Sequence, residues 1–265
     1  MKEFFDGFFT PDPGVADGIF ALAVLYALAV GPGRRYLAPE KPFERWRAIC
    51  FGSGVVLLVL AVCTPLDHIG ETYLFSAHMV QHVILMFLLP PLFILGVPTW
   101  LADFLFRTEG LGKLLKLAVH PIVAGVMFNA ALIIWHIPAF YELALRDPFM
   151  HLVEHATFVL TSIAMFWVLI GTETREEPMH DGLKLLYILA VNIGQIPLFA
   201  ALSFASSPLY PTYARAPRYF ETLTPLADQV LGGVIMKLCA AVFMFGGLVV
   251  FFYRWYSSDD TFGRK

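Results

Sequence analysis

The segment Ser76–Pro98, SAHMVQHVILMFLLPPLFILGVP, runs for 23 residues without a Lys, Arg, Asp or Glu. A helix needs about 20 mainly apolar residues to cross the hydrocarbon core of a bilayer, so the stretch reads as a membrane span. Near its start stand two imidazoles, His78 and His82, four residues apart. Ionisable groups in hydrocarbon are costly and tend to mark function, so the segment that decides the fold also raises the chemical question.

The rest of the chain repeats the pattern. Hydrophobic residues make up 58% of the 265 and charged residues 15%, a balance that a water-soluble domain of this size does not need. Seven stretches are apolar and long enough to span, roughly 14–32, 48–66, 73–98, 117–138, 151–171, 184–205 and 228–252. The first is the weakest, because Asp17 and Pro32 trim its ends. The connectors, such as GPGRRYLAPEKPFERWR and TETREEPMHDG, gather Pro, Gly and charge, and none is long enough for a second domain. The expected architecture is all-α, a single membrane domain over 1–265 built as a bundle of seven transmembrane helices. The lead-in MKEFFDGFFTPDPG lacks the basic start and unbroken apolar core of a cleavable signal, so the first span is expected to be retained.

Lys and Arg concentrate in alternate loops. Thirteen fall in the first-to-second, third-to-fourth and fifth-to-sixth connectors and at the C-terminal end, against four (Lys2, Arg146, Arg215, Arg218) at the N-terminus and in the other loops. The positive-inside rule then places the N-terminus outside and the C-terminus in the cytoplasm. This topology puts His68, His78, His82, His136, His151 and His155 at or near the outer ends of spans two to five, leaving His120 and His180 on the cytoplasmic side.

Composition also excludes. A net charge of −3 without a basic tail or block argues against a nucleic-acid partner, since phosphate binding needs clustered positive charge. Cys50 and Cys63 lie on one predicted helix about 20 Å apart, so no disulfide framework is expected from the three cysteines. The P-loop, H-E-x-x-H and G-x-S-x-G motifs are absent, which removes the parts for ATP hydrolysis, zincin proteolysis and the common serine hydrolase chemistry.

His78 and His82 share one helix face, a turn apart, and His151 and His155 in HLVEH repeat the spacing at the start of span five. Two such pairs facing each other could offer four imidazole nitrogens to a metal, and imidazole suits copper, zinc and iron. The alternative is that each ring hydrogen-bonds across helices or sits at the headgroup level. Met79 and Met86 bracket His82 with thioether sulfur, a soft donor that favours Cu(I), though methionine is also common apolar filler. Glu154 adjoins His155, but adjacent helix residues point about 100° apart, so it suits a histidine on another helix as an orienting carboxylate. His136, in WHIPAF, is a fifth ligand or a hydrogen-bond partner, with Pro138 limiting the helix just beyond it. Asp228 occupies a good helix-start position on span seven, and Lys237 lies about 13 Å deeper, near mid-membrane, with no partner that sequence alone identifies. Asn192 and Gln195 add interior polarity to span six. The Pro90–Pro91 pair is expected to kink or end span three.

Three segments carry a family resemblance: TPLDHIGETYLFSAHMVQHVILMFLLPPLFILGVP, NAALIIWHIPAFYELALRDPFMHLVEHATF and ADQVLGGVIM. In order they resemble the hallmark regions of the CtaG family, polytopic assembly factors of caa-type cytochrome c oxidase, over roughly residues 60 to 240. H-M-x-Q-H before a double proline, W-H-x-P and H-x-x-E-H together are specific, although each alone is weak. The resemblance implies a seven-helix protein of the bacterial inner (plasma) membrane, needed to make an active haem-copper oxidase and handling copper for it. It carries onto this chain His78, Met79, Gln81, His82, Trp135, His136, Pro138, His151, Glu154, His155, Asp228 and Gln229. Met236–Lys237 departs from the Met-Trp typical of the family and leaves open a specialised subgroup.

The reading that follows is a non-enzymatic metallochaperone that holds Cu(I) at an outer-leaflet site of His78, His82, His151 and His155. His136, Met79, Glu154, Met86 and His68 are auxiliary groups, and Asp228, Gln229, Lys237, Gln81 and Trp135 form bundle polarity. Its expected partners are oxidase subunits, periplasmic copper chaperones and the lipid bilayer. One alternative is a membrane cytochrome in which a cross-helix pair such as His82 and His155 ligates haem b and exchanges electrons with quinone. A second is a transporter or proton-conducting bundle using Lys237 and Asp228.

Overall fold

The computed structural model describes residues 13–171 and 179–262. The expectations for the N-terminal lead-in and for most of the TETREEPMHDG connector, with Lys2, Arg175, Arg264 and Lys265 of the charge count, lie outside the described residues.

Among the described residues every regular element is helical. Helix α1 (Pro13–Leu28) is prolonged by a π-turn (Ala29–Gly33) and a last helical turn (Arg34–Leu37). Helices α2 (Arg45–Val62) and α3 (Pro65–Thr72) follow. Then come α4 (Phe75–Val83), a π-turn (Ile84–Leu88) and α5 (Leu89–Gly96) as one continuous span. Helices α6 (Thr99–Arg107) and α7 (Leu111–Ala118) lead to α8 (Pro121–Trp135), α9 (Pro138–Arg146) and α10 (Pro148–Ile170). Helices α11 (Asp181–Gly194), α12 (Ile196–Ser203), α13 (Pro211–Arg215) and α14 (Pro225–Phe262) complete the chain.

Six of these stretches are long and apolar enough to cross a membrane, and a seventh results if the bent pair α7 and α8 counts as one. The straight span expected over 117–138 is broken by 74° between Ala118 and Pro121. Proline at the first helical position fits a helix start but cannot continue the preceding one, which is why a new helix begins there. The double proline of span three acts differently. The helix widens into the π-turn Ile84–Leu88 just before it and runs on to Gly96, because a wider turn accommodates the lost amide donors without ending the helix.

Burial sorts the spans. In the apolar window of α4–α5, 67% of residues are buried, and in that of α10, 56%, against 11% for the first span, so the two histidine-bearing helices are the centre of the bundle. The outer helices expose Phe20, Val56, Leu186 and Val242, as lipid-facing surfaces require.

Three short helices, α3, α9 and α13, each precede the start of a span, and they are stitched together over the end where α4, α10 and α14 begin. The Tyr213 hydroxyl of α13 donates to the Gly70 carbonyl of α3 at 2.7 Å and lies 3.0 Å from the Tyr141 hydroxyl of α9. Glu142 of α9 accepts from the Thr212 amide and hydroxyl of α13 at 2.9 and 2.8 Å. Sequence signals start helices at this end: Thr64 caps the short α3 ahead of Pro65, and Asp147 caps the span α10 ahead of Pro148 through the amides of Phe149 and Met150.

Candidate metal centre

His78 and His82 stand on α4 and His151, Glu154 and His155 on α10, all within the first turns of the two central helices. The start of α4 is held from another helix. Asp228 of α14 accepts from the amides of Phe75 and Ser76 at 2.7 and 3.2 Å, so the carboxylate expected to serve its own helix caps α4 instead. Close approach requires glycine at two points. A Cβ at Gly232 of α14 would meet the Phe75 ring at 2.5 Å and Met79 at 2.9 Å, and one at Gly70 would lie 3.0 Å from the His78 backbone. Helices α3 and α14 therefore press directly on α4.

These constraints gather four ligand groups. Side-chain donor atoms of His78, His82, Glu154 and His155 all lie within 4.8 Å of one another, and all four residues are buried. The His78 and His82 rings are 4.3 Å apart, and His82 and His155 are 5.7 Å apart across the helix pair. Glu154 reaches the other helix, with its carboxylate 3.7 Å from His82 Nε2. Both ring nitrogens of His78 and of His82, His155 Nε2 and Glu154 Oε1 are buried and take part in no hydrogen bond. Leaving so many buried polar atoms unsatisfied costs on the order of 1–3 kcal/mol each, a cost that ligation by a cation would remove. The donor set fits a metal.

Two further imidazoles border the cluster with one nitrogen free. His136, past the end of α8, lies 2.7 Å through Nδ1 from the Leu132 carbonyl. A carbonyl only accepts, so Nδ1 carries the proton and the buried, unpartnered Nε2 is left with its lone pair. The His136 ring is 5.5 Å from that of His82. His151 packs 4.1 Å from His155 and 5.5 Å from His78, and its Nε2 is likewise unpartnered. Its Nδ1 pairs with Glu71 of α3 at 2.6 Å. Thus His151 joins a second group, Asp67, Glu71 and His151, whose ligand atoms also lie within 4.8 Å of one another. Asp67 is held by the Gln81 side-chain amide, which also donates to the Ala61 carbonyl at 3.0 Å. Burial, followed by the neighbouring Glu71 charge, pushes the Asp67 carboxyl up to about 6.

The other predicted site residues sit elsewhere. Met79 packs against Gly232, and Met79 and Met86 are both buried in the main apolar core. Trp135 belongs to the same core. His68 lies edge-on to Tyr73 at 5.8 Å, outside both donor groups. Gln229 accepts from the Leu209 amide at 2.6 Å and donates to the Leu202 carbonyl at 3.3 Å, tying the loop before α13 to α12 and α14. Lys237 finds the partner that sequence could not name: it donates to Asn192 of α11 at 2.8 Å, with its ammonium 5.3 Å from the Phe199 ring centroid.

Asp67 and Glu71 were not singled out from sequence. Their spacing, i and i+4 on one short helix after the cap Thr64, was the signal available. The His82 ring is enclosed by those of His78, Phe158, His136 and His155 at 4.3 to 5.7 Å.

Comparison with known proteins identifies relatives. Uncharacterised proteins of Mycobacterium bovis and Mycobacterium tuberculosis are each 27% identical over 232 residues, an alignment covering 78% of this chain and 34% of theirs. The chain thus spans about a third of the length of these curated relatives. No solved structure matches it. The family model for the cytochrome c oxidase caa3 assembly factor matches residues 24–258, including both central helices and the three short helices over them, and the chain belongs to that family.

Proposed function

We propose that this protein is a multi-pass membrane assembly factor that holds copper as Cu(I) between α4 and α10 and passes it to a haem-copper cytochrome c oxidase. His78, His82 and His155 are the ligands, Glu154 balances charge, and His136 and His151 stand by as exchange ligands. The observation that carries this reading is the set of buried imidazole nitrogens that hydrogen-bond nothing and converge from two helices on one carboxylate. Family membership supplies the oxidase. A monovalent cation beside one carboxylate and neutral imidazoles is a net-neutral unit, the least costly charge state to bury, and this favours Cu(I) over a divalent ion. The basic residues Arg34 and Arg35 in the last turn of the first span, Lys41 after it, Arg107 at the end of α6 and Lys113 and Lys116 on α7 belong to the other end of the spans, so the site faces outward, toward incoming copper and its carriers.

The test is anaerobic loading of the purified protein with Cu(I), followed by elemental analysis. The wild type retains one tightly held copper per chain, and a variant carrying H78A, H82A, H155A and E154Q retains none at that site. Undiminished stoichiometry in the variant overturns the ligand assignment.

A further inference from the structure

We infer that Asp67, Glu71 and His151 form a second cation subsite, through which copper reaches and leaves the buried site, with His151 as the exchange ligand between the two. The passage role rests on the copper reading above. The existence of the subsite does not.

Glu71 has 35% of its side chain accessible, His151 has 11%, and His82 and Glu154 have 0% and 1%, so exposure falls in steps from α3 inward. Donors are continuous along the same line. Asp67, Glu71 and His151 form one group within 4.8 Å, His78, His82, Glu154 and His155 form another, and the His151 and His155 rings, 4.1 Å apart, join them. A cation moving along it would exchange one ligand at a time and would never be stripped bare in a low-dielectric interior, where a naked charge is prohibitively costly.

His151 is built for both sides. Its Nδ1 faces the Glu71 carboxylate, while its Nε2 is buried with no hydrogen-bond partner and its ring packs 4.1 Å from that of His155 and 5.5 Å from that of His78, on a residue that is itself 9% exposed. A histidine whose only task was to pair with Glu71 would not need to sit against two further rings. Asp67 is also fixed in place, since Gln81 of α4 holds one of its oxygens, and the Gly70 backbone is pressed onto His78. The second carboxylate is thus fastened to the helix that carries the inner ligands. When a cation takes the Nδ1 lone pair at the outer group, the single ring proton that Nδ1 shared with Glu71 passes to Nε2 and the imidazole stays neutral, and the shift reverses when the cation moves on.

The donor chemistry differs between the groups in a useful sense. Two carboxylates and one imidazole make a harder, more exposed and more labile set than the buried imidazoles. Ions are captured and released there and retained inside.

Two measurements on the 265-residue chain test this. The first uses Cu(II) and the H78N/H82N variant, in which the inner site is disabled. One Cu(II) binds, pulsed electron paramagnetic resonance shows coupling to a single imidazole, and the signal disappears when Glu71→Gln and Asp67→Asn are added. Both added changes are isosteric, so the fold is preserved. The absence of such a signal overturns the subsite, whatever the inner site does.

The second uses Cu(I) handed over from, and recovered by, a chromophoric chelator in a stopped-flow instrument. In E71Q/D67N, loading and release both slow by at least ten-fold while the equilibrium affinity of the inner copper changes by less than three-fold. Unchanged rates overturn the passage role. If the wild type takes up no Cu(I), the copper reading itself fails and the passage role falls with it, and the first measurement alone then decides whether the outer subsite exists.

Discussion

Glu154 precedes His155 by one position, yet its carboxylate lies 3.7 Å from His82 on the other central helix, because neighbouring helix residues diverge by about 100°. With a cation bound, this group would supply the negative charge in a site otherwise made of imidazoles. Glu154→Gln keeps shape and removes that charge, so Cu(I) affinity is expected to fall by about 10- to 100-fold, as measured by competition with a chromophoric chelator. The apo protein is expected to be no less stable in thermal unfolding, since the buried Glu154 Oε1 has no hydrogen bond to lose. An unchanged affinity would remove Glu154 from the site. Lys237 provides the contrast. Its bond to Asn192 is one interhelical contact in the membrane, worth about 0.6–2 kcal/mol, and it lies on a different helix pair from the donors. Lys237→Met is therefore expected to cost no more than that and to leave copper stoichiometry intact. Loss of copper on this change would tie Lys237 to the metal centre.

At the scale of elements, the site depends on how α4 begins. The amides of Phe75 and Ser76 would be unsatisfied helix-start donors in a buried place, and Asp228 of α14 accepts both. Asp228→Ala is expected to destabilise the protein by about 1–2 kcal/mol, seen as a lower unfolding midpoint, and to weaken copper retention by loosening His78. Equal stability and retention would show that α4 is held by packing alone. The far end of the same span is equally tight. A Cβ at Gly96 would fall 2.8 Å from the Phe51 amide nitrogen, and Arg47 of α2 donates to the carbonyls of Leu95 and Val97 at 3.1 and 2.9 Å. Gly96→Ala forces α2 away from α5 and is expected to cost about 1–3 kcal/mol, again read from the unfolding midpoint.

For the whole molecule, the imbalance of basic residues between the two ends sets the orientation we propose. Single cysteines at Ala216 and Glu40, introduced after replacement of the three intermediate-exposure native cysteines, provide the check. A membrane-impermeant maleimide applied to intact cells is expected to label Ala216→Cys and to spare Glu40→Cys. The reverse pattern would turn the donor groups toward the cytoplasm. In that orientation copper would come from inside the cell. The short helices α3, α9 and α13 are whole-molecule devices in the same sense. Cross-links such as Tyr213 to Gly70 and Glu142 to Thr212 join segments more than 60 residues apart and roof the site.

Much of this was legible in the chain. Long apolar runs specify membrane helices because hydrocarbon tolerates no unpaired backbone, and the i, i+4 spacing of His78 with His82 and of His151 with His155 places each pair on one face whatever surrounds it. Pro65, Pro148 and Pro225 mark where helices begin, and Pro121 did so inside what hydropathy alone joined into one span. Local periodicity specifies a face only relative to the helix's own axis. How α4, α10 and α3 are turned toward one another depends on packing between residues far apart in sequence, at contacts such as Gly232 with Phe75 and Gly70 with His78. Tertiary structure therefore decided that Glu154 joins three histidines, that His151 turns to Glu71, that Asp228 caps a helix other than its own and that Lys237 meets Asn192.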